Sequence, residues 1–339
     1  MMTYFKKEPY IIAEIGVNHD GQLSKAIQLI EAAAKCGANA VKFQSYKTKD
    51  VAIKNAPKAS YQENTTTKRE SQVEMLKKLE INVSWYPLLR KCCDKNNLNL
   101  ISTPYTLHDA LLLKENKFDI IKLASLSAVE FNFIEQLSQI DMPVIFSTGM
   151  CNLQEIDDLY FFACKFYKEF ALLHCTSSYP TKIEEANISV LKYMIDKYKC
   201  KVGFSDHSLD NRIAFAASSI NCTLFERHFT LNKNDKGPDH SSSSDPYDFK
   251  IYIDSIKDGL KAKGSLSNKP SISERENIYT MRRCMRYSKD LKKGHKLNYE
   301  DISLKRPMEG ILGNKIKDFE GKYLKKSVRF EECLSYEHI

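Results

Sequence analysis

The stretches Val202-Gly-Phe-Ser-Asp-His-Ser208 and Phe225-Glu-Arg-His-Phe-Thr230 share one pattern, a short apolar run that ends in polar residues. The segment between them, residues 212–220, is rich in Ala and Ser and is typical of a helix. A strand, a helix and a second strand in this order predict two parallel neighbours in one sheet. His207 and His228 then leave the sheet at the same edge, on adjacent strands.

Two imidazoles at one edge can bind a divalent metal, because neutral histidine is a common ligand. Asp206, Glu226 and Asp239 lie close by in sequence and offer carboxylates to the same site. The alternative is that His207 and His228 only complete hydrogen bonds at strand ends.

The rest of the chain repeats the alternation of strand and helix. Strands are predicted at residues 10–16, 39–45, 98–103, 119–125, 143–148, 170–176, 201–206 and 221–228, with helical patterns between them. Eight such units over about 250 residues predict an α/β fold, a closed (β/α)8 TIM barrel. An open doubly wound sheet is the alternative.

Polar residues gather toward the carboxyl end of every predicted strand, which is where barrel enzymes build their active sites. These residues are Glu14, Lys42, Gln44, Thr103, Lys122, Ser125, Ser147, Thr176, Ser177, Ser205, His207, Glu226 and His228. The long polar segment 46–70 is predicted to be a functional loop over this site. We therefore expect an active site at the barrel mouth.

The composition argues against several other classes of protein. The 339 residues carry a net charge of +8 from dispersed lysines, which does not form the basic stripe of a nucleic-acid binder. No apolar run is long enough for a membrane span, and the N-terminus lacks the pattern of an export signal. The ten cysteines are scattered without metal spacing, so free thiols in a reducing cytoplasm are expected.

A change in composition and in the spacing of turn residues divides the chain into three parts. Residues 1–260 are predicted to be the barrel, residues 261–279 a polar linker, and residues 280–339 a small domain with little regular structure. A domain of that size buries little apolar surface, so it is expected to dock on another surface.

Motifs along nearly the whole chain resemble the N-acetylneuraminate (sialic acid) synthase family. They include Ala13-Glu-Ile-Gly-Val-Asn-His-Asp-Gly21, Val41-Lys-Phe-Gln44, Glu70-Ser-Gln, Ser102-Thr-Pro104, Lys122-Leu-Ala-Ser125, His174-Cys-Thr-Ser-Ser-Tyr-Pro180 and Gly237-Pro-Asp-His240. The tail, through Lys305-Arg-Pro307, resembles the antifreeze-like (SAF) domain of that family.

The resemblance implies that phosphoenolpyruvate, N-acetylmannosamine and water give N-acetylneuraminate and phosphate. It also implies a divalent metal, Mn²⁺ first and Mg²⁺ or Co²⁺ as alternatives. The implied assembly is a homodimer in which each C-terminal domain covers the partner's barrel.

Roles follow from the matching positions. The resemblance implies that Glu14, His207 and His228 are catalytic, with the two histidines binding the metal. The implied substrate-binding residues are Lys42, Gln44, Asn64, Thr103, Lys122, Ser125, Ser147, Thr176, Ser177, Tyr179, Ser205, Glu226, Asp239 and Arg306. Met308 stands where the family carries glycine after the Arg-Pro pair.

Other functions remain open. A legionaminate synthase, which takes a 2,4-diacetamido-6-deoxy hexose, shares most of these motifs, and a pseudaminate synthase is less similar. An aldolase would use Lys122 or Lys42 to form an imine. A binding module is a third alternative, because the tail resembles antifreeze proteins.

Overall fold

The computed structural model describes residues 5, 8–59, 62, 66, 70–266 and 269–339. Eight parallel strands close into a barrel in sequence order, and β8 pairs with β1. The strands are β1 (Tyr10–Gly16), β2 (Ala40–Ser45), β3 (Asn99–Pro104), β4 (Ile120–Leu123), β5 (Val144–Ser147), β6 (Phe170–Cys175), β7 (Lys201–Asp206) and β8 (Leu224–His228). The predicted TIM barrel is confirmed.

Helices separate the strands. They are α1 (Leu23–Cys36), α2 (Thr48–Val51), α3 (Gln72–Lys78), α4 (Tyr86–Lys95), α5 (Leu107–Glu115), α6 (Phe131–Ser138), α7 (Leu153–Phe166), α8 (Ile188–Lys197), α9 (Asn211–Ser219), α10 (Pro246–Lys263) and α11 (Ile272–Met281). No helix in the described part of the chain is long and apolar enough to cross a membrane.

The barrel strands bury both faces, as expected for parallel strands with helices outside. On β1, Ile11, Ala13 and Ile15 pack outward against the helices, whereas Ile12 belongs to a separate cluster in the barrel interior. Because side chains alternate along a strand, Glu14 shares the interior face with Ile12. The interior is therefore apolar below and charged at the mouth.

Gly203 shows how tightly the interior is filled. A Cβ at this position would lie 2.4 Å from the carbonyl oxygen of Leu224 and 2.6 Å from a methyl carbon of Leu173. Only glycine lets β7 approach β8 this closely, and that approach brings the ends of the two strands together at the mouth.

The chain divides into two compact units, Met1–Gly264 and Ser265–Ile339. The segment expected as a linker, 261–279, is not irregular throughout, since it includes the end of α10 and most of α11. The Ser271 side chain accepts from the amide of Glu274, and Glu274 accepts from the amide of Ser271. This capping box begins α11 within a polar sequence.

The second unit has little regular structure, as expected. Its two strands, β9 (Cys284–Tyr287) and β10 (Ile302–Lys305), pair antiparallel. A small apolar cluster that includes Met285, Leu297 and Phe319 forms its core.

Candidate active site

A cavity of about 350 Å³ opens at the carboxyl ends of the strands, and every strand of the barrel contributes to its lining. This volume is within the usual range for small-molecule sites. Fourteen of the residues proposed from the sequence line it: Glu14, Lys42, Gln44, Thr103, Lys122, Ser125, Ser147, Ser177, Tyr179, Ser205, His207, Glu226, His228 and Asp239. Sequence reasoning thus selected residues that the fold brings together.

Two carboxylates and a lysine form a buried ion cluster at the base of this cavity. Lys42 Nζ lies 2.9 Å from Glu14 Oε2 and 3.8 Å from Glu226 Oε2, and all three side chains are buried. Gln44 donates to Glu14 Oε1 at 3.0 Å, and Ser205 donates to Glu226 Oε1 at 2.9 Å. The register sets this geometry, because Glu14 is paired with Lys42 on β2.

The environments of the two carboxylates push their pKa values apart. Burial raises the pKa of Glu14 above its usual value, and the nearby Lys42 ammonium only partly offsets this. Burial acts on Glu226 in the same direction, but Lys122 and Lys42 together lower its pKa to about 2. Glu226 is therefore a fixed anion, whereas Glu14 is suited to accept and release a proton.

Hydroxyl groups and a second lysine form an anion-binding region on the β4–β6 side. Lys122 Nζ donates to Ser147 Oγ at 2.5 Å, and burial lowers the pKa of this lysine. The Gly149 amide donates to Ser125 Oγ at 2.9 Å, and a Cβ on Gly149 would lie 2.4 Å from Ser177 Oγ. These donors converge without a bulky side chain between them, which suits a phosphate or carboxylate group.

The two imidazoles face the same space. Their ring centroids are 5.5 Å apart, and burial lowers the pKa of both, that of His228 to about 3, so both rings are neutral. His207 Nδ1 donates to the carbonyl oxygen of Thr176 at 2.8 Å, which leaves Nε2 unprotonated and 3.3 Å from Ser205 Oγ. His228 Nδ1 is buried and has no hydrogen-bond partner among the described residues. Neutral, oriented rings with an unpartnered nitrogen fit a divalent metal.

Asp239 and Tyr179 complete the histidine side of the cavity. Asp239 Oδ2 lies 3.8 Å from His228 Nδ1, and burial together with the nearby Glu14 raises the pKa of Asp239 to about 7. The ring of Tyr179 packs 4.3 Å from that of His207, centroid to centroid. Asp239 can therefore bind a neutral hydroxyl either as donor or as acceptor.

A second group of potential ligands, Asp20, Asp235 and His240, is also close enough to hold a metal ion. Lys25 Nζ already lies 2.5 Å from Asp20 and 2.6 Å from Asp235. His240 is held between the hydroxyl of Thr230, at 2.7 Å, and Asp20, at 3.0 Å. An ammonium group thus already neutralises the two carboxylates of this cluster.

Two of the proposed residues, Thr176 and Arg306, are not among the described residues that line the cavity. The Thr176 hydroxyl donates to the carbonyl of Glu185, so this residue acts through its own carbonyl, which orients His207. Arg306 is an exposed residue of the second unit. Asn64 lies outside the described residues.

Sequence reasoning missed other lining residues. Tyr105 directly follows the Ser102-Thr-Pro104 motif, so the strand-end argument could have included it. Gln72 lies in the quoted Glu70-Ser-Gln motif but received no role. The apolar lining residues Val17, Val51, Met75, Leu76 and Leu79 carry no signal that separates them from ordinary core residues.

A closed barrel whose eight strands all contribute to one polar cavity is the architecture of a barrel enzyme. The NeuB family profile matches residues 29–268, and the SAF domain profile matches residues 282–339. The chain therefore belongs to the NeuB family, which confirms the predicted family and tail domain. Membership also confirms the expected enzyme class, a carbon–carbon bond-forming transferase.

Among its relatives, the N,N'-diacetyllegionaminic acid synthase of Campylobacter jejuni is 37% identical over 331 residues, covering 97% of this chain and 99% of the relative. The enzyme of the same name from Legionella pneumophila is 33% identical over 335 residues, covering 97% and 94%. The crystal structure of N-acetylneuraminic acid (sialic acid) synthetase from Leptospira borgpetersenii, in complex with citrate, aligns with a TM-score of 0.72 at 29% identity, covering 80% and 90%. These relatives are all synthases of nine-carbon sugar acids.

We predict that His207→Ala combined with His228→Ala abolishes tight Mn²⁺ binding, because it removes both neutral ligands. Calorimetric titration with Mn²⁺ measures this, and circular dichroism checks that the barrel remains folded. His108→Ala, which changes an exposed histidine of α5, should bind like the wild type. If Asp235→Asn abolishes binding while the double histidine variant keeps it, the metal belongs to the cluster at Lys25.

Proposed function

We propose that this enzyme condenses phosphoenolpyruvate with a 2,4-diacetamido-6-deoxy hexose and water to give a nine-carbon 2-keto sugar acid and phosphate. The observation that carries the reaction is the arrangement of the anion-binding region, the carboxylate pair and the two imidazoles around one cavity. For the sugar, the support is the 37% identity to a diacetyllegionaminic acid synthase across nearly the full length of both chains.

The anion-binding region determines where phosphoenolpyruvate lies. Its phosphate and carboxylate need cations and hydroxyl donors, which Lys122, Ser125, Ser147 and Ser177 supply. Burial lowers the pKa of Lys122. A bound phosphate dianion would stabilise the protonated form of this lysine, because an opposite charge nearby favours the charged state. The phosphate would thus add to the counter-charge that Glu226 already provides.

The proposed reaction forms a carbon–carbon bond and then releases phosphate. The methylene carbon of phosphoenolpyruvate attacks the aldehyde carbon of the open-chain hexose, and the aldehyde oxygen takes up a proton. Water then adds to the carbon that bears the phosphate and loses one proton. The carbon–oxygen bond to phosphate breaks, the new hydroxyl loses its proton to the departing phosphate, and the ketone remains. No oxidant or reductant is needed.

Glu14 is suited to the proton transfer in this sequence. Its raised pKa makes it a stronger base than an exposed carboxylate, and Lys42 and Gln44 fix its position. We assign it the role of accepting the proton of the attacking water. Glu226, held as an anion, stabilises the positive charge that develops at the carbon under attack.

We propose that His207 and His228 hold the divalent metal, with Mn²⁺ the first candidate and Mg²⁺ or Co²⁺ the alternatives. When bound there, a metal ion supplies a Lewis acid for a sugar oxygen. The chain itself keeps both rings neutral through burial and orients His207 through Thr176.

We further propose a homodimer in the cytoplasm, in which Arg306 from one chain reaches the sugar bound by its partner. The resemblance to the family supports the exchange of C-terminal domains. All ten cysteines are free, in keeping with a reducing compartment. A guanidinium group can donate to an amide carbonyl with a fixed geometry that lysine does not reproduce.

Phosphate release from phosphoenolpyruvate tests the choice of sugar. We expect kcat/KM for the 2,4-diacetamido-6-deoxy hexose to exceed that for N-acetylmannosamine by at least about tenfold, the scale at which pockets distinguish small substituents. N-acetylglucosamine serves as the negative control. Equal or better turnover of N-acetylmannosamine would favour the sialic acid synthase alternative.

The dimer proposal is tested by mixing two impaired chains and assaying them with the hexose well below its wild-type KM. Arg306→Ala should raise KM for the hexose about tenfold or more and leave KM for phosphoenolpyruvate nearly unchanged, whereas Arg329→Ala, at another exposed arginine, should change neither. In a mixture with His207→Ala/His228→Ala chains, the intact barrel of one chain receives an intact tail from the other.

Random exchange makes half of the dimers mixed, each with one working site of two, so about one quarter of wild-type activity should return. Activity no greater than that of the separate variants, after subunit exchange has been verified, would show that the tail does not act on the partner.

A further inference from the structure

One wall of the active-site cavity differs from the rest in being largely apolar. It consists of Val17, which follows β1, Val51 at the end of α2, and Met75, Leu76 and Leu79 in and after α3. These five side chains belong to one small hydrophobic cluster, separate from the main core, that also contains Tyr46 and Tyr105. The anion-binding region is built from β4 to β6, so this wall faces the part of the cavity left for the sugar. We call these five residues the apolar wall.

Hydrogen bonds hold the apolar wall in place. Tyr46 donates to the carbonyl of Leu76 at 3.1 Å, which ties α3 to the end of β2. The amide of Thr48 donates to Glu80 at 2.9 Å, which ties α2 to the segment after α3. The wall is therefore part of the folded site even before a substrate arrives.

A polar group lies beside this apolar surface. Gln72, the first residue of α3, also lines the cavity, and its side-chain oxygen is buried with no hydrogen-bond partner among the described residues. A capping box fixes the start of α3, since Ser71 and Glu74 exchange hydrogen bonds of 3.2 and 2.8 Å. A buried, unpaired acceptor is costly, so a ligand N–H that reaches it gains a strong partner.

An apolar surface beside one unpaired acceptor matches an acetamido group, which has a methyl at one end and an N–H near the other. We propose that the apolar wall and Gln72 form a subsite for the second acetamido group of the hexose, with the methyl packed on Val51 and Leu76 and the N–H donating to Gln72. This proposal rests on the proposed function, because N-acetylmannosamine carries only one acetamido group.

The subsite predicts a selectivity of limited size. A 4-hydroxyl in place of the 4-acetamido group loses the methyl contact and the volume that fills the wall. Apolar pockets separate ligands that differ by such groups by about tenfold to two-hundredfold. The wall therefore favours the diacetamido sugar without excluding the other.

The test compares the diacetamido hexose with the same 6-deoxy hexose bearing a 4-hydroxyl, so that the two sugars share the methyl at carbon 6. We expect Gln72→Ala to lower kcat/KM for the diacetamido sugar about threefold to tenfold, as for the loss of one neutral hydrogen bond. For the hydroxyl sugar the change should stay under about twofold. Val51→Thr, which puts a hydroxyl on the wall at constant volume, should lower the same ratio of the two sugars.

Gln154→Ala, at an exposed glutamine of α7, is the matched control and should leave both sugars unchanged. KM for phosphoenolpyruvate should be constant throughout, which separates loss of the subsite from damage to the barrel. If the wild type turns over the diacetamido sugar well but Gln72→Ala and Val51→Thr leave the ratio unchanged, the subsite is wrong and the proposed function stands. If the wild type does not turn over the diacetamido sugar, the proposed function fails and the subsite fails with it.

Discussion

The site depends on one interaction, the buried ion pair between Glu14 on β1 and Lys42 on β2, whose charged atoms are 2.9 Å apart. Neither charge would be tolerated alone at this depth, because removing an ion from water costs several kcal/mol, on the order of the whole stability of a domain. Lys42 supplies the counter-charge to Glu14, and Glu226, 3.8 Å from Lys42, gives the lysine a second one. The pair requires the register of β1 against β2, and the closure of β8 on β1 then places His228 opposite Glu14.

The layered interior of the barrel strengthens this pair. Below the charged layer lie Ile12, Ile101 and Ile145, which keep water away from the base of the cavity. In this water-poor interior, charges and hydrogen bonds interact more strongly than in water, because they are little screened. The same surroundings separate the pKa values of Glu14 and Glu226, lower that of Lys122 and keep both imidazoles neutral. The proposed acid–base and substrate-binding roles thus depend on the same buried environment.

The sequence alone was sufficient to predict the strands and the polar residues at their ends, because both depend on local patterns. Strands β1 and β7 have the predicted bounds, and the other barrel strands differ by one to three residues at an end. The closure of β8 on β1 could be inferred only from the number of strands. The capping box of α11 is present in the sequence as a Ser and a Glu three residues apart. The polar composition around it nevertheless indicated a linker.

Part of the candidate site could also be predicted, because some of its residues stand out in local sequence patterns. Glu14 and Lys42 stand out because charged residues rarely occur in apolar strands. Thr176 was proposed as a substrate-binding residue, but its hydroxyl donates to the carbonyl of Glu185, because the direction of this side chain depends on the loop after β6. The apolar wall could not be found at all, because Val51 and Leu76 resemble core residues until the fold shows that they face a cavity.

The most direct test of this account is the turnover of Glu14→Gln. The amide keeps the size of the side chain and its capacity for hydrogen bonding, but it cannot accept the proton. The account predicts that kcat falls by about a hundredfold to ten-thousandfold, the usual contribution of a general acid or base, while both substrates still bind. A loss of less than about threefold in kcat would contradict the role assigned to Glu14 and to the buried pair.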